Sequence, residues 1–175
     1  MGKVLLATFC ITFVVIACEG KCVIPSVGLP VDKKAISGKW YGQEIYGPPK
    51  VGDGTCFLTQ WSVTDDDKLD VLDSWKDKRG KWQSLDCPEL KSESKDGVTS
   101  YTFKIREESV TFWFLLLNHH SMAAYSCDEK TQTANVYIMS REQPRDNVRV
   151  KEVVEHVGKM VAIPEDRHVI DQASC

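Results

Sequence analysis

The sequence contains 175 residues, and its 22 lysine and arginine side chains against 25 aspartate and glutamate side chains give a formal net charge of −3. A chain of this size fits one domain with a single hydrophobic core. The mildly acidic balance offers neither the basic stripe that nucleic acid requires nor the cationic cluster that an anionic membrane surface attracts. We therefore expect neither as a partner.

Residues 1–20 are typical of a secretory signal peptide. Lys3 supplies the positive start, residues 4–17 form an almost unbroken apolar run, and small residues precede a cleavage point before Lys21. The run is shorter than the roughly 20 apolar residues that cross a bilayer, and no second such run follows. The sequence thus predicts a secreted, extracellular protein without a membrane span, in which residues 21–175 form one domain.

Short strand-like segments separated by turn residues follow, which indicates an all-β barrel or sandwich. The predicted strands are residues 38–46, 55–64, 68–75, 81–86, 98–106, 110–118, 121–127 and 134–140.

The alternation of apolar and polar residues predicts which side chains face the interior. It places Cys56 and Cys127 on the outside of the sheet. The residues predicted to share an inward face are Phe57, Trp61 and Val63 in the second strand, Tyr101, Phe103 and Ile105 in the fifth, and Met122, Ala124 and Ser126 in the seventh.

Residues 112–117 are apolar on both faces, so one of these faces must be covered. An amphipathic helix after the last strand is the predicted cover, because Asp146 can cap it and apolar residues repeat along it at i, i+3, i+4 and i+7. We expect this helix to end at Gly158 or Pro164. Its apolar face consists of Val150, Val153, Val154 and Val157.

Five of the seven cysteines remain when the predicted leader is removed, an odd number for an oxidising compartment. Their spacing does not fix the connectivity. No Cys-x-x-Cys or matching histidine pair occurs, so a zinc or other metal site is not predicted. The remaining cysteines are Cys22, Cys56, Cys87, Cys127 and Cys175.

Two short signatures stand at the ends of the predicted strand region. Gly38-Lys39-Trp40-Tyr41 opens the first strand, and Arg141 directly follows the last one. They resemble the lipocalin family, in which the tryptophan plugs the closed end of the barrel beneath the arginine. The resemblance implies an eight-stranded antiparallel up-and-down β-barrel with one C-terminal α-helix packed outside.

The resemblance is strongest to the insecticyanin and bilin-binding-protein branch, which is apolipoprotein D-like. The helix segment Lys151-Glu152-Val153-Val154 is similar to that branch, whereas Asn118-His119-His120 replaces the Thr-Asp-Tyr motif of core lipocalins. The branch implies two disulfides, Cys22 with Cys127 and Cys56 with Cys175. Cys87 is then left over.

Cys87 lies in the segment Leu85-Asp86-Cys87-Pro88. We interpret it as a free, half-buried thiol at the end of a strand. An intermolecular disulfide and a covalent tether for an electrophilic tetrapyrrole are the alternatives. Some lipocalins are prostaglandin synthases with a cysteine nucleophile, but no histidine lies near Cys87 in sequence to activate it. We therefore expect no enzymatic activity and no catalytic residues.

The resemblance implies a carrier of a small hydrophobic ligand, with Gly38, Trp40 and Arg141 forming the base of the barrel. The leading ligand is a biliverdin-type tetrapyrrole pigment, and no other cofactor is required. The oligomeric state stays open, a homo-oligomer included. The residues expected to line the cup are Tyr46, Phe57, Trp61, Tyr101, Phe103, Met122 and Tyr137.

Other functions fit the same resemblance. The ligand of such a cup could equally be a carotenoid, a retinoid, a fatty acid or a pheromone. Salivary lipocalins of blood feeders include protease and haemostasis inhibitors that act through loops, and haem binders that use histidine. His119 and His120 invite the haem interpretation, but a polar pair on a tight hairpin is the simpler one.

Overall fold

The computed structural model describes residues 22–49 and 55–175, so the predicted signal peptide, residues 1–20, lies outside the described residues. No helix in these ranges is long and apolar enough to span a membrane. The elements are a short helix α1 (Lys33–Ile36), strands β1 (Gly38–Tyr46), β2 (Thr55–Val63), β3 (Leu69–Lys76), β4 (Trp82–Lys95), β5 (Val98–Ile105), β6 (Glu108–Leu117), β7 (Ser121–Asp128) and β8 (Thr133–Ser140), helix α2 (Asn147–Val157) and strand β9 (Arg167–Val169).

Strands β1 to β8 form one closed antiparallel barrel. Each strand pairs with the next, and β1 pairs with β8 along one edge and with β2 along the other, from Gly38 opposite Trp61 to Tyr41 opposite Leu58. The predicted eight-stranded barrel is confirmed. The sequence did not predict α1, β9 or the continuation of β4 beyond Asp86.

A β-bulge in β1 inverts the alternation of its side chains. The register with β8 shifts between Gly42 and Glu44, so that Ile45 joins the interior core while Glu44 and Tyr46 face outward. There Tyr46 donates a hydrogen bond to the Glu44 carboxylate, which also pairs with Arg145 and Arg167. The prediction that Tyr46 lines the cup is wrong because a bulge adds one residue to the strand.

Helix α2 covers the outer face of β6, β7 and β8, as predicted from the residues that are apolar on both faces. Asp146 caps it, since its Oδ1 accepts hydrogen bonds from the amides of Val148 at 3.0 Å and Arg149 at 3.1 Å. Gly158 follows the last helical residue. The apolar face of α2 is buried against an outer core that includes Trp113 and Tyr125.

Trp40 and Arg141 close one end of the barrel. Trp40 is fully buried, and its Nε1 donates to the carbonyl oxygen of Ile36 at 2.7 Å, which ties α1 across the base. The Arg141 guanidinium lies over the Trp40 ring and donates to two backbone oxygens, those of Lys39 and Ala35. Gly38 has φ +98°, a backbone conformation that favours glycine, and a Cβ there would also lie only 3.1 Å from Arg141 Nη1.

The structure contains both implied disulfides. Cys22 is bonded to Cys127 and Cys56 to Cys175, with Cα–Cα distances of 5.3 and 5.5 Å. Each closes a loop of about 100 residues and ties one end of the described chain to the barrel wall, which is worth about 4 to 5 kcal/mol in the chain-entropy model.

Candidate functional site

The barrel encloses an interior cavity of about 60 Å³. Its wall is mostly apolar, and five of the seven predicted lining residues belong to it. These five are Phe57, Trp61, Phe103, Met122 and Tyr137.

Aromatic rings form much of this wall and contact one another in edge-to-face or tilted pairs. The Trp61 ring lies 5.7 Å from those of Phe103 and Phe114, and Phe112 lies 5.9 Å from Phe103 and 5.8 Å from Tyr137. Such pairs add about 0.5 to 1.5 kcal/mol each beyond the area that they bury, so the rings hold one another in place. Met122 and Met139 also line the cavity and are its most adaptable side chains.

Tyr101 is buried inside the barrel but does not line the cavity. Its ring packs 5.4 Å from Phe114, and its hydroxyl oxygen accepts a hydrogen bond from the amide of Val31 at 2.8 Å. Tyr101 thus faces inward, as predicted, but it is not among the residues that line the cavity. The hydroxyl group of Tyr101 is therefore bonded to the chain segment that precedes α1.

Three further residues of this mostly apolar wall carry polar side-chain atoms, and they were not predicted from the sequence. Thr59, Asp73 and Cys87 stand on the neighbouring strands β2, β3 and β4, with Thr59 directly opposite Asp73. The alternation of β3 could have revealed Asp73, because it occupies an inward position in the series Leu69, Val71, Asp73 and Trp75.

Asp73 is a carboxyl group in an apolar wall. It is 7% exposed, and burial raises its pKa to about 7 because the charged form loses its hydration. A weak hydrogen bond from Cys87, with 3.7 Å between Sγ and Oδ2, acts in the opposite direction on this pKa. The carboxyl group therefore changes its charge near neutral pH.

Cys87 is a buried free thiol, 3% exposed, and not the half-buried strand-end thiol that the sequence suggested. Strand β4 runs on through it to Lys95, which places it in the wall. Burial and the neighbouring Asp73 raise the pKa of this thiol well above its usual range. The neutral thiol is a poor nucleophile, and no histidine is among the residues that line the cavity.

His119 and His120 lie on the hairpin between β6 and β7, at the closed end of the barrel. Both are exposed, and the carbonyl oxygen of His120 accepts a hydrogen bond from the Arg141 amide at 3.0 Å. Neither histidine lines the cavity, so this pair cannot supply an axial ligand to a haem held there.

No protein-family model and no curated protein sequence matches this chain. Solved structures do. Lobster apocrustacyanin A1 is 15% identical to this chain with a TM-score of 0.66, and the match covers 87% of this chain and 93% of the apocrustacyanin chain. The amine binding protein of Rhodnius prolixus, solved as its tryptamine complex, is 13% identical with a TM-score of 0.63, covering 88% and 87%. Insecticyanin from the tobacco hornworm Manduca sexta is 19% identical with a TM-score of 0.59, covering 80% and 78%.

Proposed function

We propose that this chain, which has the lipocalin fold of those three proteins, is a carrier that binds a small, mainly apolar ligand inside its barrel. The observation that carries the proposal is the interior cavity, whose mostly apolar wall combines aromatic rings, two methionines and a few polar groups. Ligand sites of proteins are typically apolar hollows with a few placed polar groups. Binding then follows from transfer of apolar surface out of water, at roughly 25 cal/mol per Å².

The cavity volume favours a compact ligand. At about 60 Å³ it is smaller than the roughly 150 Å³ that accommodates benzene in an engineered protein cavity. Any organic ligand must therefore displace side chains, and Met122 and Met139 are the ones that change rotamer at least cost. A ligand of one or two rings requires much less displacement than an extended one.

A biliverdin-type pigment is the second ligand that we propose, although it is larger than the compact ligands that the cavity volume favours. Its four pyrrole rings would require several wall aromatics to rotate outward, and the neutral Cys87 thiol makes a covalent tether unfavourable. A red-region absorbance band in the purified protein would support a bilin, and a colourless protein that does not take up added biliverdin would exclude it.

We propose an extracellular site of action. The two disulfides support it, because such bonds form and persist in oxidising compartments.

Tryptophan fluorescence tests the carrier function, because Trp61 lines the cavity. We would titrate the protein with 2-phenylethanol, retinol, palmitate and biliverdin, and we expect saturable quenching by at least one of them. Phe103→Arg should weaken that binding sharply, since it brings an unpaired charge into the wall. Ala124→Phe should also weaken the binding, because its larger uncharged side chain fills the cavity.

The matched control is Lys104→Ala, because Lys104 is adjacent to Phe103 but exposed on the outer face. Its binding should equal that of the wild type. Flat titrations with all four compounds, or equal behaviour of Phe103→Arg and Lys104→Ala, would sink the carrier function and favour an inhibitor that acts through its loops.

A further inference from the structure

The Asp73 carboxyl group has no cationic partner among the residues that the structure describes. Its one side-chain hydrogen bond there comes from the Cys87 thiol, a weak donor, at 3.7 Å. Buried carboxylates are normally paired with a cation or held by several strong donors. Asp73 thus retains most of its capacity to accept hydrogen bonds.

Two further polar atoms of the same wall are unpaired within the described residues. The Oγ1 of Thr59 and the Nε1 of Trp61 are buried and have no hydrogen-bond partner. Buried polar atoms are rarely left in this state, and an unpaired buried group costs about 1 to 3 kcal/mol. Thr59 faces Asp73 across the strand pair, so an acceptor hydroxyl and a carboxyl group lie side by side.

From this arrangement we propose that the carried ligand is a compact apolar molecule with one primary ammonium group, and that Asp73 binds this group. The inference rests on the proposed carrier function and names its ligand class. An ammonium group has three donors and no acceptor, which suits the Asp73 oxygens together with Thr59 Oγ1. Trp61 and Phe103 line the same cavity, and a cation that lies over the face of such a ring is attracted to it.

The charge of the wall selects against other ligand classes. A fatty acid would bring a second carboxylate close to Asp73, and like charges in a desolvated site repel strongly. A purely apolar ligand would leave Asp73 and Thr59 buried without partners. Of these classes, the ammonium ligand is the one that offers hydrogen-bond donors to Asp73 and Thr59 and also contacts the aromatic rings.

The pairing also fixes a dependence on pH. The Asp73 pKa of about 7 belongs to the unliganded protein, so below that pH an ammonium ligand would meet a neutral carboxyl group. Around Asp73, strand β4 presents the neutral Cys87 thiol, β2 presents the non-titrating Thr59, and Tyr137 on β8 lines the same cavity. Asp70 and Asp86 lie on these strands at outward positions.

The test compares two probes of nearly equal shape, 2-phenylethylamine and 2-phenylethanol. Their affinities would be measured by calorimetry for the wild type, for Asp73→Asn and for Asp86→Asn. Asp86→Asn is the matched control, because it removes the same charge from an exposed position on the adjacent strand. At about pH 8 we expect the amine to bind the wild type at least about tenfold more tightly than the alcohol.

Asp73→Asn should abolish this preference and leave the affinity for the alcohol within about threefold, whereas Asp86→Asn should keep the preference. In the wild type, the affinity for the amine should fall about tenfold for each pH unit below about 7, and that for the alcohol should not. Equal binding of the two probes, or an amine affinity unchanged in Asp73→Asn, overturns the amine inference and leaves the carrier function standing. Loss of all binding, the neutral probes included, overturns both.

Discussion

The Arg141 guanidinium lies 3.8 Å from the centre of the Trp40 ring and closes the base of the barrel over it. The contact joins β1 to the residue that follows β8, and backbone oxygens of Ala35 and Lys39 accept hydrogen bonds from the guanidinium. Trp40 is fully buried there, so its side chain belongs to the packed core at the base of the barrel.

Trp40→Ala should therefore lower the free energy of unfolding by about 3 to 5 kcal/mol, the usual cost of removing a large buried aromatic side chain. Chemical denaturation measures it. Trp82→Ala is the control, because Trp82 is 48% exposed and should cost less than about 1 kcal/mol. Equal costs for the two variants would mean that Trp40 does not anchor the base.

Cys87 should resist alkylation while the protein is folded. It is 3% exposed and its pKa is raised, so both access and thiolate are lacking. Mass spectrometry after treatment with iodoacetamide should find Cys87 unmodified in native protein and modified in denaturant. Rapid modification of the native protein would place this thiol outside the cavity wall.

The free energy of unfolding should depend on pH through the titration of Asp73. Its folded-state pKa of about 7 exceeds the ordinary value of 3.8, so the folded state binds the proton more tightly than the unfolded state does. This group therefore lowers the free energy of unfolding by about 1.4 kcal/mol for each pH unit of rise between about 4 and 7, and the penalty is complete above 7.

Asp73→Asn should remove that slope, so the difference between variant and wild type should grow in favour of the variant as the pH rises. Subtracting the two curves cancels other groups, such as Glu44, whose pKa is lowered because hydrogen bonds from Arg167, Tyr46 and Arg145 outweigh its burial. Asp86→Asn should follow the wild-type curve. Parallel curves for the wild type and Asp73→Asn would contradict a buried carboxyl group.

Alternation predicted the interior well wherever a strand was regular. Phe57, Trp61, Phe103 and Met122 line the cavity because β2, β5 and β7 keep their inward faces along these stretches. The prediction for Tyr46 failed because the bulge in β1 shifts the inward–outward alternation by one residue, and nothing in the local sequence marks this bulge.

The place of Asp73 in the cavity wall was not predicted for a different reason. Its inward position was readable from the pattern of β3, but a lone carboxylate among apolar residues is more easily interpreted as an exposed one. Only the closed barrel shows that β2 and β4 bury it from both sides. The pairing with Thr59 across β2 is a tertiary relationship that no local pattern contains.

Methionine methyl resonances test most directly whether the ligand lies inside the barrel. Met122 and Met139 line the cavity, whereas Met160 packs in the outer core near the N-terminal segment. In protein labelled at the methionine methyl carbons, we would add, to saturation, whichever of 2-phenylethanol, retinol, palmitate and biliverdin binds most tightly. We expect the Met122 and Met139 signals to shift while the Met160 signal stays in place. A saturating ligand that shifts Met160 alone, or none of the three, would contradict binding in the interior cavity.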